Sequence, residues 1–436
     1  MNELFKKYDI KGPRYTSYPP VPFWENCPDQ LSWLSHVESG LKECREIDLY
    51  LHIPYCNELC WYCGCNREID KSHKKENIYL ENILKEWKFY KENIKDFKVK
   101  SVHLGGGTPN YLSPNSLDRL LSEVLKKTTI DFSSSIEIDP RVCTDEHLEV
   151  IKKHNIHRVS LGIQDMNTDV QQAINRIQPV ELVEGIVKKL RQYNITSINF
   201  DLIYGLPKQN WQSLHKTIEK TIELGVDTIA LYSYAHVPWK AKNQKLIKES
   251  ELLQGFDKLE LYIKASELLL SSGMIQIGMD HFCKVGSILD VAKKNNHLTR
   301  NFMGYTSAKA PVLIGLGASA ISFSGTSFIQ NQKNVKEYLE DLKSDKLPIE
   351  TGHTMTDQDI EINELIQQIM CNENWNSPIP IDQDVLTQMI KDQLVIETDG
   401  HYSVLDKGRP FLRNIAMLYD YRLQNRSTSS LFSRTI

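Results

Sequence analysis

The sequence predicts an α/β fold, and three observations predict it. Six short apolar or β-branched runs recur between residues 47 and 233, and amphipathic helical stretches separate them. The chain's 436 residues, 41 % of them hydrophobic, suffice for one large core and a smaller satellite. Strands that alternate with helices pair in parallel through crossover units, so the main body is a doubly wound sheet or a barrel.

Up to about residue 45, Gly12, Pro13, Pro19, Pro20, Pro22 and Pro28 punctuate the chain too often for a long element. This stretch reads as an arm lying on the main domain, with one short helix at 30–42. Strands are expected at 47–53, 99–104, 135–138, 158–162, 197–203 and 228–233. A helix at 78–94 sets Ile83, Leu84, Trp87 and Tyr90 on one face, and another at 144–154 has Thr144 as its cap. A long helix at 251–272 closes on Gly273, after which Pro311-Val312-Leu313-Ile314-Gly315 returns to the sheet.

Beyond about Tyr338 the texture changes. Thr356 with Asp359 forms a capping box opening a helix to Met370, and a second helix covers 382–390. Runs at 394–398 and 401–405 flank Asp399-Gly400, a hairpin signal. A helix at 410–423, with Pro410 in its first turn, completes a small helical, winged-helix-like unit. That unit is not conspicuously basic, and the chain's formal charge of -4 gives no general attraction to nucleic acid or anionic lipid. No apolar leader or membrane-length apolar run occurs, so a soluble, cytoplasmic protein without membrane or nucleic-acid partners is expected.

Four of the nine cysteines fall within ten residues, just past the first strand. In a reducing compartment such a cluster points to metal or redox chemistry. A structural zinc site usually takes two paired knuckles far apart in sequence, whereas Cys56, Cys60 and Cys63 on one compact loop suit three corners of a [4Fe-4S] cubane. The fourth iron is then open to chelation by the amino and carboxylate groups of S-adenosylmethionine. Cys65 reads as a non-ligand beside the cluster, although ligation or burial as a small hydrophobe are alternatives. Tyr50, Tyr55, Trp61 and Tyr62 supply aromatic walls or simply pack a core.

Gly105-Gly106-Gly107-Thr108-Pro109 follows the second strand, where absent side chains let the backbone approach a ligand. Glu137 and Asp139 end the third strand, Gln164 and Asp165 the fourth, and Asp201 lies in the fifth. Polar side chains thus recur at the carboxyl-terminal rim, where α/β folds bind ligands.

The stretch Tyr50-Leu51-His52-Ile53-Pro54-Tyr55-Cys56 through Cys65 resembles the oxygen-independent coproporphyrinogen III oxidases. So do Gly12-Pro13-Arg14-Tyr15-Thr16-Ser17-Tyr18-Pro19, Gly162-Ile163-Gln164-Asp165, Tyr234-Ala235-His236, Gly278-Met279-Asp280-His281-Phe282 and Phe432-Ser433-Arg434. The resemblance implies a partial (β/α)6 TIM-like barrel at 46–335, an N-terminal arm at 1–45 and a C-terminal mainly helical domain at 336–436. It implies Cys56, Cys60 and Cys63 as cluster ligands, and Tyr50 and Cys65 as catalytic. Tyr50, Tyr62, Gly106, Gly107, Thr108, Glu137, Gln164, Arg176, Asp201, Ala235 and Ile321 match positions around two S-adenosylmethionine molecules.

The implied reaction converts two propionates of coproporphyrinogen III to vinyls, with a low-potential flavodoxin- or ferredoxin-type electron donor and a monomeric enzyme. Arg14 is the candidate anchor for substrate carboxylates. Residues 282–286 and 308–311 match the family loosely. A haem-binding chaperone of the same superfamily, a haem-modifying relative and a structural zinc protein are the alternatives. Cys65 and the 14–19 arm argue against the chaperone.

Overall fold

The computed structural model describes every residue except 308, 309, 377, 378, 380, 425–430 and 436, and only the backbone of Gln424. Ala308 and Lys309 of the loosely matching stretch therefore lie outside the described residues.

Twelve strands form one sheet: β1 Glu46–Ile53, β2 Lys98–Gly106, β3 Thr128–Ile138, β4 Arg158–Gln164, β5 Ser197–Tyr204, β6 Thr228–Ser233, β7 Met274–Ile277, β8 His281–Lys284, β9 Val312–Leu316, β10 Ile321–Phe323, β11 Ser327–Asn331 and β12 Ile349–Thr354. Their spatial order is β12-β11-β10-β9-β1-β2-β3-β4-β5-β6-β8-β7. Strands β1 to β6 lie side by side in chain order, and β9 flanks β1; all these pairs are parallel. Antiparallel strands extend both ends, and the edges are β12 and β7, so the barrel is partial.

The side-chain alternation decides between barrel and doubly wound sheet. Ile47, Leu49, Leu51 and Ile53 of β1 join the main hydrophobic core with Val99, Val102, Leu104, Ile136, Ile138, Val159 and Leu161. Ser101 and His103, Ser133, Ser135 and Glu137, Arg158 and Ser160, and Asn199 and Asp201 instead line a cavity. Sheets covered by helices on both faces are apolar on both. One polar face marks a concave interior.

Helices cover the outer face where their apolar stripes predict. Glu76–Asn93 buries Ile83, Trp87 and Tyr90, and Asp145–Lys153 is capped by Thr144 in a reciprocal box with His147. The 251–272 helix is shorter than expected, running Gly255–Ser271, because Glu249–Glu251 forms a separate 3-10 turn. A helix at Asn2–Tyr8, unread in the sequence, opens the chain.

In the C-terminal part the Thr356/Asp359 capping box forms and starts Asp357–Gln367. The helix then widens into a π turn, Gln368–Asn372, ended by Glu373 at φ 60°. The hairpin Val395–Thr398 and His401–Val404 turns at Asp399 and Gly400, both at positive φ. The single helix expected at 410–423 is corrected to a 3-10 segment Asp406–Phe411 containing Pro410, then Leu412–Met417 and Tyr421–Gln424. The break has a cause: Asp420 Oδ1 accepts from the backbone N–H groups of Arg422 and Leu423 and restarts the chain as a new turn.

The arm and this C-terminal unit share a core. Leu4, Tyr8, Tyr15 and Tyr18 pack with Ile362, Leu365, Phe411 and Ile415. The Tyr15 and Tyr18 hydroxyls donate to Asp420 at 3.0 and 3.4 Å. Desolvation raises the Asp420 carboxyl to about 6.

Candidate active site

The loop after β1 is pinned at both ends by a short parallel bridge, Tyr55–Cys56 against Glu68–Ile69. Between them its carbonyls are held from outside. Asn243 Nδ2 reaches the carbonyls of Cys60, Trp61 and Cys63 at 3.2, 2.9 and 2.9 Å, and Gln244 Nε2 donates to Tyr62 at 2.8 Å. Asn175 Nδ2 donates to Leu59 at 2.8 Å. These amides, which the sequence reading did not single out, fix where the thiols face.

Cys56, Cys60 and Cys63, with Cys65 and Tyr62, line one cavity of about 320 Å³ at the carboxyl-terminal rim. Gly106, Gly107, Thr108, Glu137, Gln164, Arg176 and Asp201 line the same cavity. Tyr50, Ala235, Ile321 and Arg14 are not in its lining. Ala235 and Arg14 border a second cavity, and Ile321 opens β10 beyond β9.

Each thiol has a distinct environment. Thr108 Oγ1 stands 3.2 Å from Cys56 Sγ, and burial pushes the Cys56 thiol up to about 11. Cys60 Sγ accepts from Arg141 Nη2 at 3.4 Å and Arg176 Nη1 at 3.5 Å. Both guanidiniums are anchored on Asp139, at 2.6 and 3.1 Å. Burial opposes the Asp139 charge, but Arg176 and Arg141 outweigh it and hold the carboxyl at about 2. Cys63 shares a hydrogen bond with Cys65, which pulls the Cys63 thiol down and pushes Cys65 up.

The glycine turn needs glycine for space. At Gly106, φ is 114° and a Cβ would stand 2.8 Å from the His52 ring; at Gly107 it would meet Tyr55 O at 2.8 Å and Cys56 Sγ at 3.1 Å. The backbone therefore passes against the cysteine loop with no side chain between them.

Deeper in the cavity, Glu137 accepts from His103 Nε2 and from Gly106 N, each at 3.3 Å. Asp201 accepts from Ser160 Oγ at 2.8 Å and Asn199 Nδ2 at 2.9 Å, and burial followed by the Glu137 charge raises its carboxyl. Arg158 faces both carboxylates electrostatically, and burial lowers it.

Tyr50 lies beside this floor. Its ring stacks on His103, and its hydroxyl donates to His52 Nδ1 at 2.9 Å. His52 Nε2 meets Asn66 O at 3.1 Å, which makes Nε2 the protonated nitrogen of a ring kept neutral by burial. Tyr50→Phe leaves a buried nitrogen without its donor and is expected to lower unfolding free energy by about 1–3 kcal/mol in urea titration.

The donor set is tested by its own chemistry. Among the described residues no three His, Cys, Asp or Glu side chains converge as they would on a single ion. A cubane asks for something else: three soft thiolates spread over three corners, with cationic N–H donors on the sulfurs to offset their charge. Cys56, Cys60 and Cys63 supply the thiols, Arg141 and Arg176 both donate to Cys60 Sγ and Thr108 to Cys56 Sγ, and the site fits the cluster.

Residues 50–221 match the Radical SAM superfamily model. The chain is 34% identical to the oxygen-independent coproporphyrinogen III oxidase of Salmonella typhimurium over 99% of this chain and 98% of that one. It is 38% identical to the enzyme of that name from Helicobacter pylori, over 85% and 82%. The chain belongs to the oxygen-independent coproporphyrinogen III oxidase family. The solved coproporphyrinogen III oxidase (HemN) of Escherichia coli superposes with a TM-score of 0.88 at 33% identity, covering 94% of this chain and 98% of that chain. The superfamily uses a [4Fe-4S] cluster and S-adenosylmethionine, which are the cofactors here.

Proposed function

We propose that this chain oxidatively decarboxylates coproporphyrinogen III to protoporphyrinogen IX in haem biosynthesis, turning two propionates into vinyl groups. The observation that carries the reading is three thiols on one rim loop, set against a glycine turn over a polar barrel interior, in a chain that matches the family over nearly its full length.

When bound, the cluster and S-adenosylmethionine supply a 5'-deoxyadenosyl radical that takes a hydrogen atom from the propionate β-carbon. Cys56, Cys60 and Cys63 would hold the cluster. Arg141 and Arg176 donate to Cys60 Sγ and orient it. The bare backbone of Gly106 and Gly107, with Thr108, would pass beside the methionine end of the cofactor. Glu137, Gln164, Arg176 and Asp201 present the polar atoms that would receive the ammonium and ribose groups of two S-adenosylmethionine molecules.

Tyr50, behind the cavity lining, would lie near the sulfonium, Tyr62 would face the cofactor, Cys65 would stand free beside the cluster, and Ala235 and Ile321 would line the cofactor sites. Arg14 would meet substrate carboxylate. The arm at 1–45 and the helical part of 336–436 that follows β12, a strand of the barrel sheet itself, would close over the barrel and exclude water. Each event releases CO2 and one electron beyond the hydrogen atom, so an electron acceptor is required as well as a low-potential donor. The nine free thiols suit a reducing cytoplasm, and no helix among the described residues is long and apolar enough to cross a membrane.

The test is anaerobic reconstitution with S-adenosylmethionine, a low-potential reductant, coproporphyrinogen III and an electron acceptor, followed by chromatography of porphyrins and 5'-deoxyadenosine. Vinyl product with matching deoxyadenosine is expected. Deoxyadenosine with unchanged porphyrin would overturn the substrate while keeping the radical chemistry.

A further inference from the structure

A second cavity, of about 520 Å³, lies where the arm and the C-terminal segment meet the barrel. Its charge is unbalanced. The acids around it are already engaged: Asp9 by Arg434 at 2.8 Å, Glu249 by His236 at 3.1 Å. Three cations of the cavity, Arg14, Lys258 and Arg413, have no carboxylate partner among the described residues.

Arg413 is spent on neutral acceptors. It donates to the carbonyls of Gly12, Pro13, Arg434 and Thr435, clamping the arm to the C-terminal segment while keeping its full charge. Among the described residues, Lys258 Nζ donates to Tyr234 O, at 2.8 Å. Burial, then Arg14, holds Lys258 down at about 8, and the same two causes hold Arg413 at about 9. Asp9 offsets part of this at Lys258 and Asp280 feels Arg14, but neither makes an ion-pair contact with these cations, so a further anion joining the three lowers the free energy of the cluster.

Phe5, Trp239 and Phe432 line the same cavity, and Trp239 is 65% exposed. A pocket lined by both cations and aromatic rings fits a ligand with anionic groups and an apolar face. A small neck of about 50 Å³, lined by Arg14, Arg413, Tyr232 and Asp280, adjoins it; Asp280 is engaged by His281 at 2.7 Å and Arg300 at 3.7 Å. Tyr232 also lines the thiol cavity, so the neck and the thiol cavity share one side chain, while the neck and the second cavity share Arg14, Ser233 and Arg413.

We propose that the second cavity docks the carboxylate edge of the tetrapyrrole, with Arg14, Lys258 and Arg413 taking propionates that are not reacting while the ring lies on Phe5, Trp239 and Phe432. This rests on the coproporphyrinogen reading and adds the residues that select a tetracarboxylate. At about 50 Å³ the neck is too small for a macrocycle, and its lining runs from Arg14 and Arg413 to Tyr232 at the thiol cavity.

The probe is coproporphyrin III, the stable aromatic form with the same four carboxylates, titrated by fluorescence into the reconstituted enzyme. Lys258→Met and Arg14→Gln each remove one charge-assisted contact and are expected to weaken its binding about tenfold, and to raise KM for coproporphyrinogen III about tenfold with kcat little changed. Coproporphyrin tetramethyl ester, without the charges, is expected to bind both variants and the unsubstituted enzyme alike, and weakly.

Variants that bind coproporphyrin III as tightly as the unsubstituted enzyme overturn the cavity assignment even if vinyl product forms. An unsubstituted enzyme that neither binds the porphyrin nor yields vinyl product sinks the underlying substrate reading instead. Arg14 is exposed, so its variant decides the matter should Lys258→Met fail to fold.

Discussion

Cys60→Ala is expected to purify with the native fold, to take up little iron on reconstitution, and to give neither 5'-deoxyadenosine nor vinyl product. The thiol contributes little to folding: its sulfur accepts two long contacts, from Arg141 and Arg176, which stay paired with Asp139, and Arg141 also with Glu58 at 3.5 Å, whether or not the sulfur is there. Stability should therefore change by about 1 kcal/mol, the centre of the range for single substitutions. A cubane held by three thiolates, by contrast, loses a third of its protein ligands. Iron analysis, the visible iron–thiolate absorption and product chromatography read the outcome together. Cys65→Ala is the internal comparison and should retain iron, since Cys65 is the cysteine assigned no iron. Full iron and full turnover in Cys60→Ala would remove the cluster from this loop.

Much of this site was legible in the sequence, and what was missed has identifiable causes. The cysteine spacing and the glycine turn are local, so their meeting needed only the order of two adjacent parallel strands. The barrel was legible too: Ser101 and His103, Ser135 and Glu137, Arg158 and Ser160, Asn199 and Asp201 alternate with apolar residues inside strands that a covered sheet would make apolar throughout. Asn243 and Gln244 were illegible because an amide that holds a loop carbonyl 180 residues away has no pattern of its own. The extra antiparallel strands are three to six residues long, below the length at which periodicity separates a strand from a loop. The arm was placed on the barrel because its prolines exclude long elements; that Tyr15 and Tyr18 would find Asp420 depends on a contact across some 400 residues.

Asp359→Ala carries the largest stability effect expected outside the thiol site. The side chain is fully buried and its two oxygens serve three segments. Thr356 N and Oγ1 bond it in the capping box, and His353 of β12 meets it at 3.2 Å. Arg422 Nε and Nη2 donate to it at 2.9 Å each, and the Tyr421 hydroxyl at 3.0 Å. Removal breaks the cap and leaves the Arg422 guanidinium, only 10% exposed, without its main counter-ion. Losing one partner of a buried pair costs about 3–5 kcal/mol, much more than the cap alone at about 1 kcal/mol. Burial opposes the Asp359 charge, but His353, Arg422 and Thr356 together hold its carboxyl well below the usual carboxylate range. A carboxyl depressed in the folded state stabilises above its unfolded pKa, about 4, and that contribution is lost as pH falls below it. Urea unfolding at neutral pH should therefore separate Asp359→Ala from the unsubstituted protein by several kcal/mol, and the gap should narrow in acid. A gap that stays constant with pH would mean the residue acts through packing alone, and the junction between β12 and the C-terminal unit would have to be held by the shared tyrosine core instead.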